Sequence, residues 1–329
     1  MRQEDIAKLA RVSRTTVSRV LNGDNTVKKE IREKVLKIVE EVKYERNYIS
    51  STLASKKKKN IYAFIVRSIV PYYNEEIKKG LIKFENEFKN FGINLYIIEN
   101  DINNPEEQLE SLKKVLEKNE VAGVIITPLL KEKVSSLILE NENVKFITMD
   151  SYLSPRIPYV GANYFNSGEI SGNIADGILR KYEKALVLKF PDDKVSANRY
   201  YQGFINSLEE EQLIISFEKK EIFSKENFLS DKISKDVKVI FTNRFLKEVI
   251  ENNIDFLREN KDIKIIGIAG NPELNKYLSS GMLFASLNEQ YSMISYTSGL
   301  LIFNLLYKNI FPDLITLIPA NILFKSSIL

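Results

Sequence analysis

From Asn60 onward the chain alternates short apolar runs with stretches of helical periodicity, and few folds accept that pattern. The runs IYAFIV (61–66), INLYIIE (93–99), VAGVIITP (121–128) and VKFITMD (144–150) are apolar nearly throughout, as strands buried on both faces of a parallel sheet must be. Helical stretches near 75–91, 104–119 and 131–141 separate them. A second series follows: YVGAN (159–163), ALVLKF (185–190), VKVIFTN (237–243), IKIIGIAG (263–270) and LFASLNE (283–289), with helices near 166–181, 196–211, 245–260, 273–280 and 291–308. The tail TLIPANILFKSS returns to strand. Two successive βαβ series predict two doubly wound α/β subdomains, whose ligand would sit at the carboxyl ends of the strands.

Residues 1–45 read differently, as three short helices. In the third, Ile31, Val35, Ile38, Val39 and Val42 recur at spacings of three and four with charges between them. Residues 1–59 hold 16 Lys and Arg against 8 Asp and Glu, leaving 32 basic and 36 acidic residues for the rest. A basic head on a mildly acidic body points to a polyanionic partner for the head.

The stretch VSRTTVSRVLN (12–22) gives that partner a chemistry. With Ser13 as N-cap, Val17, Val20 and Leu21 share one face, suited to packing on Ile6, Leu9, Val35 and Val39. Arg14, Thr15, Ser18 and Arg19 share the other, because positions i, i+1, i+4 and i+5 cluster on a helix. Arginine bonds bidentately to guanine, and threonine offers its methyl to thymine. A preceding helix, Glu4–Ala10, and the turn Arg11-Val12-Ser13 complete a helix-turn-helix. A small bundle with a solvated basic face is the alternative, and the charge split weighs against it.

Composition narrows the function classes. The chain has neither cysteine nor histidine, which removes disulfides, thiolate and imidazole metal sites, and serine-histidine-aspartate chemistry. No Gly-x-Gly-x-x-Gly or Walker-type loop is present, and no cofactor is expected. An enzyme on the doubly wound scaffold is therefore disfavoured. The N-terminus carries charges where a signal peptide has its apolar core, and no run is long enough to span a bilayer, so a cytoplasmic protein without membrane association is expected. A solute-binding protein of a sugar transporter would suit the body alone, but not the basic head.

DIAKLARVSRTTVSRVLNGDNTVKKEIREKVLKIVEEVKY resembles the DNA-binding head of the lactose/galactose repressor (LacI) family. It shares the alanine-containing first helix, Val-Ser-x-x-Thr-Val-Ser-Arg-Val-Leu-Asn, and Arg-x-Lys-Val in the third helix. The resemblance implies an all-α helix-turn-helix head (1–46), a hinge helix and basic linker (47–59), and a periplasmic sugar-binding-protein-like body (60–329). It places about 60–158 and 290–315 in the first subdomain, and about 159–289 and 316–329 in the second.

The implied function is transcriptional regulation, most often repression, by a homodimer on a palindromic double-stranded DNA operator. A small-molecule effector, a carbohydrate or a derivative, would control it; a body that answers to a protein partner is the other reading. By the same resemblance Arg14, Thr15 and Arg19 read bases, while Ser13, Thr16 and Asn22 position the head on phosphates. Arg11 stands where the family usually has glycine. Composition alone makes NYISSTLAS (47–55) a solvated linker. The resemblance makes it a hinge helix, with Asn47 in register and Leu53 as a minor-groove wedge.

In the body, Asp150 matches a position that accepts hydroxyl hydrogen bonds, and Tyr72 and Tyr73 an aromatic position that stacks on sugars. Asn163, Asn243 and Glu289 stand at other strand ends facing the expected cleft, and Arg67 ends the first body strand. The family's usual arginine in the second subdomain is replaced by Tyr200, with Arg199 one position earlier. Its Asn-Asp pair is Asn243-Arg244. Fewer acids and more arginines lead to the expectation of an anionic effector, such as a sugar phosphate or sugar acid.

Overall fold

A computed structural model describes residues 3–21, 24, 26–42, 44, 58–68, 71–118, 120–191, 194–268 and 271–328. The chain divides into two compact units, Met1–Lys56 and Lys57–Leu329.

The first unit holds three helices, α1 (Gln3–Ala10), α2 (Arg14–Leu21) and α3 (Lys29–Glu41). Ile6, Ala7, Ala10, Val17, Val20 and Val35 form its small core, flanked by half-buried Leu21, Ile31 and Val39. Leu9 is a correction: it is 54% exposed, and Ala10 takes the buried place beside α2. The reason lies in how α1 ends. Arg11 adopts a left-handed conformation, with φ of 54°. Its N–H donates to Lys8 O at 3.2 Å, and the Val12 N–H donates to Ala7 O at 3.0 Å. This is the doubly bonded helix ending in which glycine is normally found. An L-residue costs about 1–2 kcal/mol there. We expect Arg11→Gly to stabilise the head by about 1 kcal/mol, raising its melting temperature by roughly 4–8 °C for a domain this small. Calorimetry of the full chain would check this, and an unchanged or lowered head transition would refute it.

The second unit contains two six-stranded sheets, ordered β11-β5-β4-β3-β1-β2 and β12-β10-β9-β8-β6-β7. The first is built from β1 (Lys59–Arg67), β2 (Ile93–Asp101), β3 (Val121–Ile126), β4 (Lys145–Met149), β5 (Tyr159–Ala162) and β11 (Ile315–Ile318). All of its neighbours run parallel. The second is built from β6 (Lys184–Lys189), β7 (Leu213–Phe217), β8 (Val237–Thr242), β9 (Lys264–Ile268), β10 (Leu283–Asn288) and β12 (Asn321–Leu323). It is parallel except for β12, which runs against β10. Central β1 is buried from Ile61 to Val66, as its unbroken apolar run requires.

The lobe boundaries differ from those expected. β5 pairs with β4 at Thr148↔Tyr159 and Met149↔Val160, and β11 pairs with β5 from Ile315 to Ile318. Both strands belong to the first lobe, so the chain crosses near Asn163, Glu289–Gln290 and Pro319. Two hydrogen bonds tie these crossings together. The Asn163 N–H donates to Ile318 O at 3.2 Å, and the Gln290 side-chain amide donates to Pro319 O at 2.7 Å.

Helices α4 (Pro71–Phe88), α5 (Pro105–Leu116), α6 (Lys131–Glu140) and α12 (Tyr291–Phe303) accompany the first sheet. The second has α7 (Tyr164–Ile178), α8 (Val195–Ile205), α9 (Leu246–Glu251), α10 (Ile254–Glu259) and α11 (Asn275–Ser280). Two glycines set the closest helix approaches. A Cβ on Gly80 of α4 would stand 2.0 Å from Ser292 O of α12, and one on Gly203 of α8 would stand 2.0 Å from Phe165 O of α7. On the α4–α12 side, Tyr73 of α4 lies beside Tyr291 of α12, with ring centroids 4.9 Å apart.

Candidate functional site

In the first unit, α2 presents a polar face. Ser13 caps it, accepting the Thr16 N–H at 3.0 Å, and the Ser13 and Thr16 hydroxyls lie 2.8 Å apart. Arg14, Thr15 and Arg19 are exposed and Ser18 is half-buried, while Val17 and Val20 face the core. Arg14 Nε lies 3.1 Å from Glu4 Oε1, and Arg19 Nε lies 3.9 Å from Asp24 Oδ2. Both guanidinium groups are exposed and Asp24 is half-buried, so each pair contributes little and leaves its guanidinium available to a stronger partner. Asn22, Asn47 and Leu53, and the hinge segment with them, lie outside the described residues.

In the second unit, a cavity of about 1080 Å³ opens between the lobes at the carboxyl ends of both sheets. Tyr72, Tyr73, Asp150, Asn163, Arg199, Tyr200, Asn243, Arg244 and Glu289 all line it, so the strand-end residues singled out from the sequence converge. Arg67 is the correction. It is exposed and does not line the cavity; its neighbour Val66 does. Side chains alternate along a strand, so one residue past a cleft-facing position points away.

Three non-glycine residues adopt left-handed conformations just after strands that feed this cavity: Asp150 (φ 58°), Phe245 (φ 60°) and Gln290 (φ 50°). They turn the chain sharply at the ends of β4, β8 and β10. Such strain persists where surrounding structure over-determines it, commonly at binding sites.

Not every convergent polar group is available to a ligand. The Asn243 amide is engaged with the Phe190 backbone, accepting from its N–H at 3.0 Å and donating to its carbonyl at 3.2 Å. Asn163 caps α7 by accepting the Asn166 N–H at 3.2 Å. Tyr200 is fully buried, its hydroxyl 3.0 Å from Ser171 Oγ. These three shape the walls.

The base of the cavity is acidic and phenolic. Asp150 accepts from the Tyr73 hydroxyl at 2.8 Å and from the Tyr164 hydroxyl at 3.2 Å. Burial raises its pKa above the ordinary aspartate value, although both hydrogen bonds oppose the shift. Glu289 accepts a short hydrogen bond from the Tyr291 hydroxyl. Burial, reinforced by the Asp150 charge and opposed by Tyr291, pushes Glu289 to about 8. Tyr164 and Tyr291 were missed in the sequence, although each follows a strand-end residue by one or two positions. They read there as ordinary helix starts.

Among the described residues no group of His, Cys, Asp and Glu could hold a metal ion. No described helix is long and apolar enough to cross a membrane.

A helix-turn-helix unit joined to a two-lobed parallel α/β body with an interlobe cavity defines a DNA-binding regulator with a ligand-binding-protein body. Residues 4–47 match the family described as bacterial regulatory proteins, lacI family, and residues 62–309 match the periplasmic binding protein domain. The chain belongs to the LacI family of transcriptional regulators, which are not enzymes, and its body belongs to the periplasmic binding protein domain family.

Catabolite control protein A of Staphylococcus epidermidis is 26% identical over 308 residues, which cover 84% of this chain and 92% of that protein. The HTH-type transcriptional regulator pepR1 of Lactobacillus delbrueckii subsp. lactis is 27% identical over 60% of this chain and 57% of its own length. Among solved structures, a periplasmic ribose ABC transporter protein from Conexibacter woesei superposes with a TM-score of 0.69 at 14% identity, covering 82% of this chain and 93% of that one. A putative LacI transcriptional regulator from Bacteroides fragilis does so with 0.64 at 16%, covering 83% and 99%. At such identities the structural likeness speaks for the fold.

Proposed function

We propose that the protein is a cytoplasmic, homodimeric repressor that occupies a palindromic operator and is controlled by a small molecule in the interlobe cavity. The polar face of a serine-capped helix, with Arg14, Thr15 and Arg19 exposed and Ser18 half-buried, carries this reading, because it pairs bidentate and hydroxyl donors on the residues that enter the major groove. Residues 47–59 act as the hinge, with Asn47 on the backbone and Leu53 as the wedge, and Asn22 adds a phosphate contact.

The effector is a carbohydrate or derivative of similar size, since the cavity of about 1080 Å³ is at the upper end of small-molecule sites and lined by phenols, amides and charges. An effector shifts the regulator only through unequal affinity for two lobe arrangements, and the bonded crossings at Asn163, Gln290 and Pro319 are the natural pivot. An anionic substituent would belong beside Arg199 and Arg244, away from Asp150 and Glu289.

The test is selection of genomic fragments by the purified full chain, at fixed salt because phosphate contacts alone give nonspecific binding. One enriched palindromic motif, released or tightened by a small molecule that also raises the melting temperature of the body, is the expected result. Retention of bulk DNA without sequence preference would refute it.

A further inference from the structure

We propose that the effector carries a protonated amine, which seats against Glu289 and Asp150 at the base of the cavity among the rings of Tyr73, Tyr164 and Tyr291. The inference rests on the reading of the cavity as the effector site and names the chemistry that the site selects.

Glu289 is 3% exposed and lines the cavity. One of its oxygens takes the Tyr291 hydroxyl, whereas Oε1 is buried and has no hydrogen-bond partner. Buried carboxylate oxygens are rarely left so, because the desolvation cost is uncompensated. Asp150, the nearby second acid, is served only by two phenols.

The groups facing the pair come from every surrounding element. Tyr73 comes from α4, Tyr164 from α7, Tyr200 from α8, Tyr291 from α12, and Tyr159 from β5. All are phenols. The side chains acting on Glu289 are Tyr291 and Asp150, and those acting on Asp150 are Tyr73 and Tyr164; none is cationic. Two acids thus share a desolvated floor with no positive charge acting on either.

Three kinds of ligand group could meet them. A phosphate or carboxylate would bring a third like charge. A hydroxyl would serve Oε1 but leave the charges uncompensated, so Glu289 would keep its proton. An ammonium supplies the missing donor and the missing charge together, and Tyr73 and Tyr291, packed edge to face at 4.9 Å, offer ring surface that attracts cations. Binding then removes the proton that Glu289 holds below about pH 8.

The test is calorimetry of the full chain with two matched triplets. The first is 1-amino-1-deoxysorbitol, sorbitol and sorbitol 6-phosphate; the second is 1,4-diaminobutane, 1,4-butanediol and succinate. The amine of at least one triplet should bind at least about tenfold tighter than its partners at pH 7. It should release a proton to the buffer and gain about tenfold in affinity per pH unit from 6 to 8, levelling above. Glu289→Gln, which keeps the volume and an acceptor for Tyr291, should abolish the proton release and the pH dependence of amine binding. Equal or tighter binding of an alcohol or anion, amine binding without proton release, or an unaffected Gln variant would each overturn the proposal. If only neutral or anionic members bind, the effector cavity stands without the amine. If no member binds, both readings fall.

Discussion

Raising the pH from 5.5 to 8.5 should steadily lower the stability of the unliganded body, and Glu289→Gln should remove most of that slope. Glu289 holds its proton to about pH 8 in the folded chain, against an ordinary glutamate value of 4.5 in the unfolded one. Between those values unfolding releases a proton, so each rise in pH favours the unfolded chain. The slope is about 1.4 kcal/mol per pH unit, and across the whole window it reaches ~5 kcal/mol. Above pH 8 both states are ionised and the slope fades. Asp150 is also held above its ordinary value, and acts in the same direction.

The opposing groups act elsewhere. Asp24, Asp236, Asp262 and Glu273 are held below their ordinary values, chiefly by hydrogen bonds from Thr26, Ser234, Lys238 and Lys247. Their stabilisation is lost only as pH falls through the acid range. Lys59 and Lys189, lowered by burial, matter toward alkaline pH. Scanning calorimetry of both proteins across the range decides the matter. The Gln variant should melt higher at pH 8, and parallel slopes in the two proteins would place the titrating group elsewhere.

The architecture was legible because buried parallel strands and amphipathic helices leave local signatures. Six consecutive buried residues in β1, and the stripe Ile77, Leu81 and Phe84 along α4, are visible without coordinates. Which sheet a strand joins is another matter. YVGA (159–162) is a short apolar run that fits either lobe, and its pairing with β4 is decided by partners distant in sequence. Leu9 looked like core because it is leucine on the expected face, but the tight ending of α1 over Arg11 buries Ala10 instead.

The cavity was legible in its members more than in its chemistry. Strand ends converge in any doubly wound fold, which is why Asp150, Asn163, Asn243 and Glu289 could be chosen from the sequence. Their availability could not be read, because it depends on backbone partners such as Phe190 for Asn243. A surplus of arginines and a shortage of acids pointed to an anionic ligand, yet a count has no geometry. Arg67 points away, and the side-chain hydrogen-bond partners of Asp150 and Glu289 are phenols. A count also cannot show which group is desolvated: burial pushes the Glu289 carboxyl up to about 8, and its Oε1 has no hydrogen-bond partner.

Arg14→Ala should relax operator choice at one base pair in each half-site and weaken binding to the preferred palindrome by roughly 2–6 kcal/mol, about 1–3 kcal/mol for each bidentate arginine–guanine pair removed. Arg14 is the first residue of α2, where recognition helices reach base edges, and its side chain is exposed. In the free protein the guanidinium rests on Glu4 at 3.1 Å, with both side chains about half or more exposed. A pair so solvated holds the side chain without competing seriously with a guanine edge. Glu4→Gln should therefore act in the opposite sense, freeing Arg14 and removing a negative charge that faces the phosphates, so that affinity rises and its salt dependence steepens slightly. Arg14→Lys separates the two roles of the side chain: it keeps the charge and the nonspecific affinity but loses the planar fork. Competition binding against an operator library, at one salt concentration, distinguishes these outcomes. If Arg14→Ala and Arg14→Lys weaken every sequence by the same factor, Arg14 touches phosphate only, and Thr15 and Arg19 carry the reading of bases.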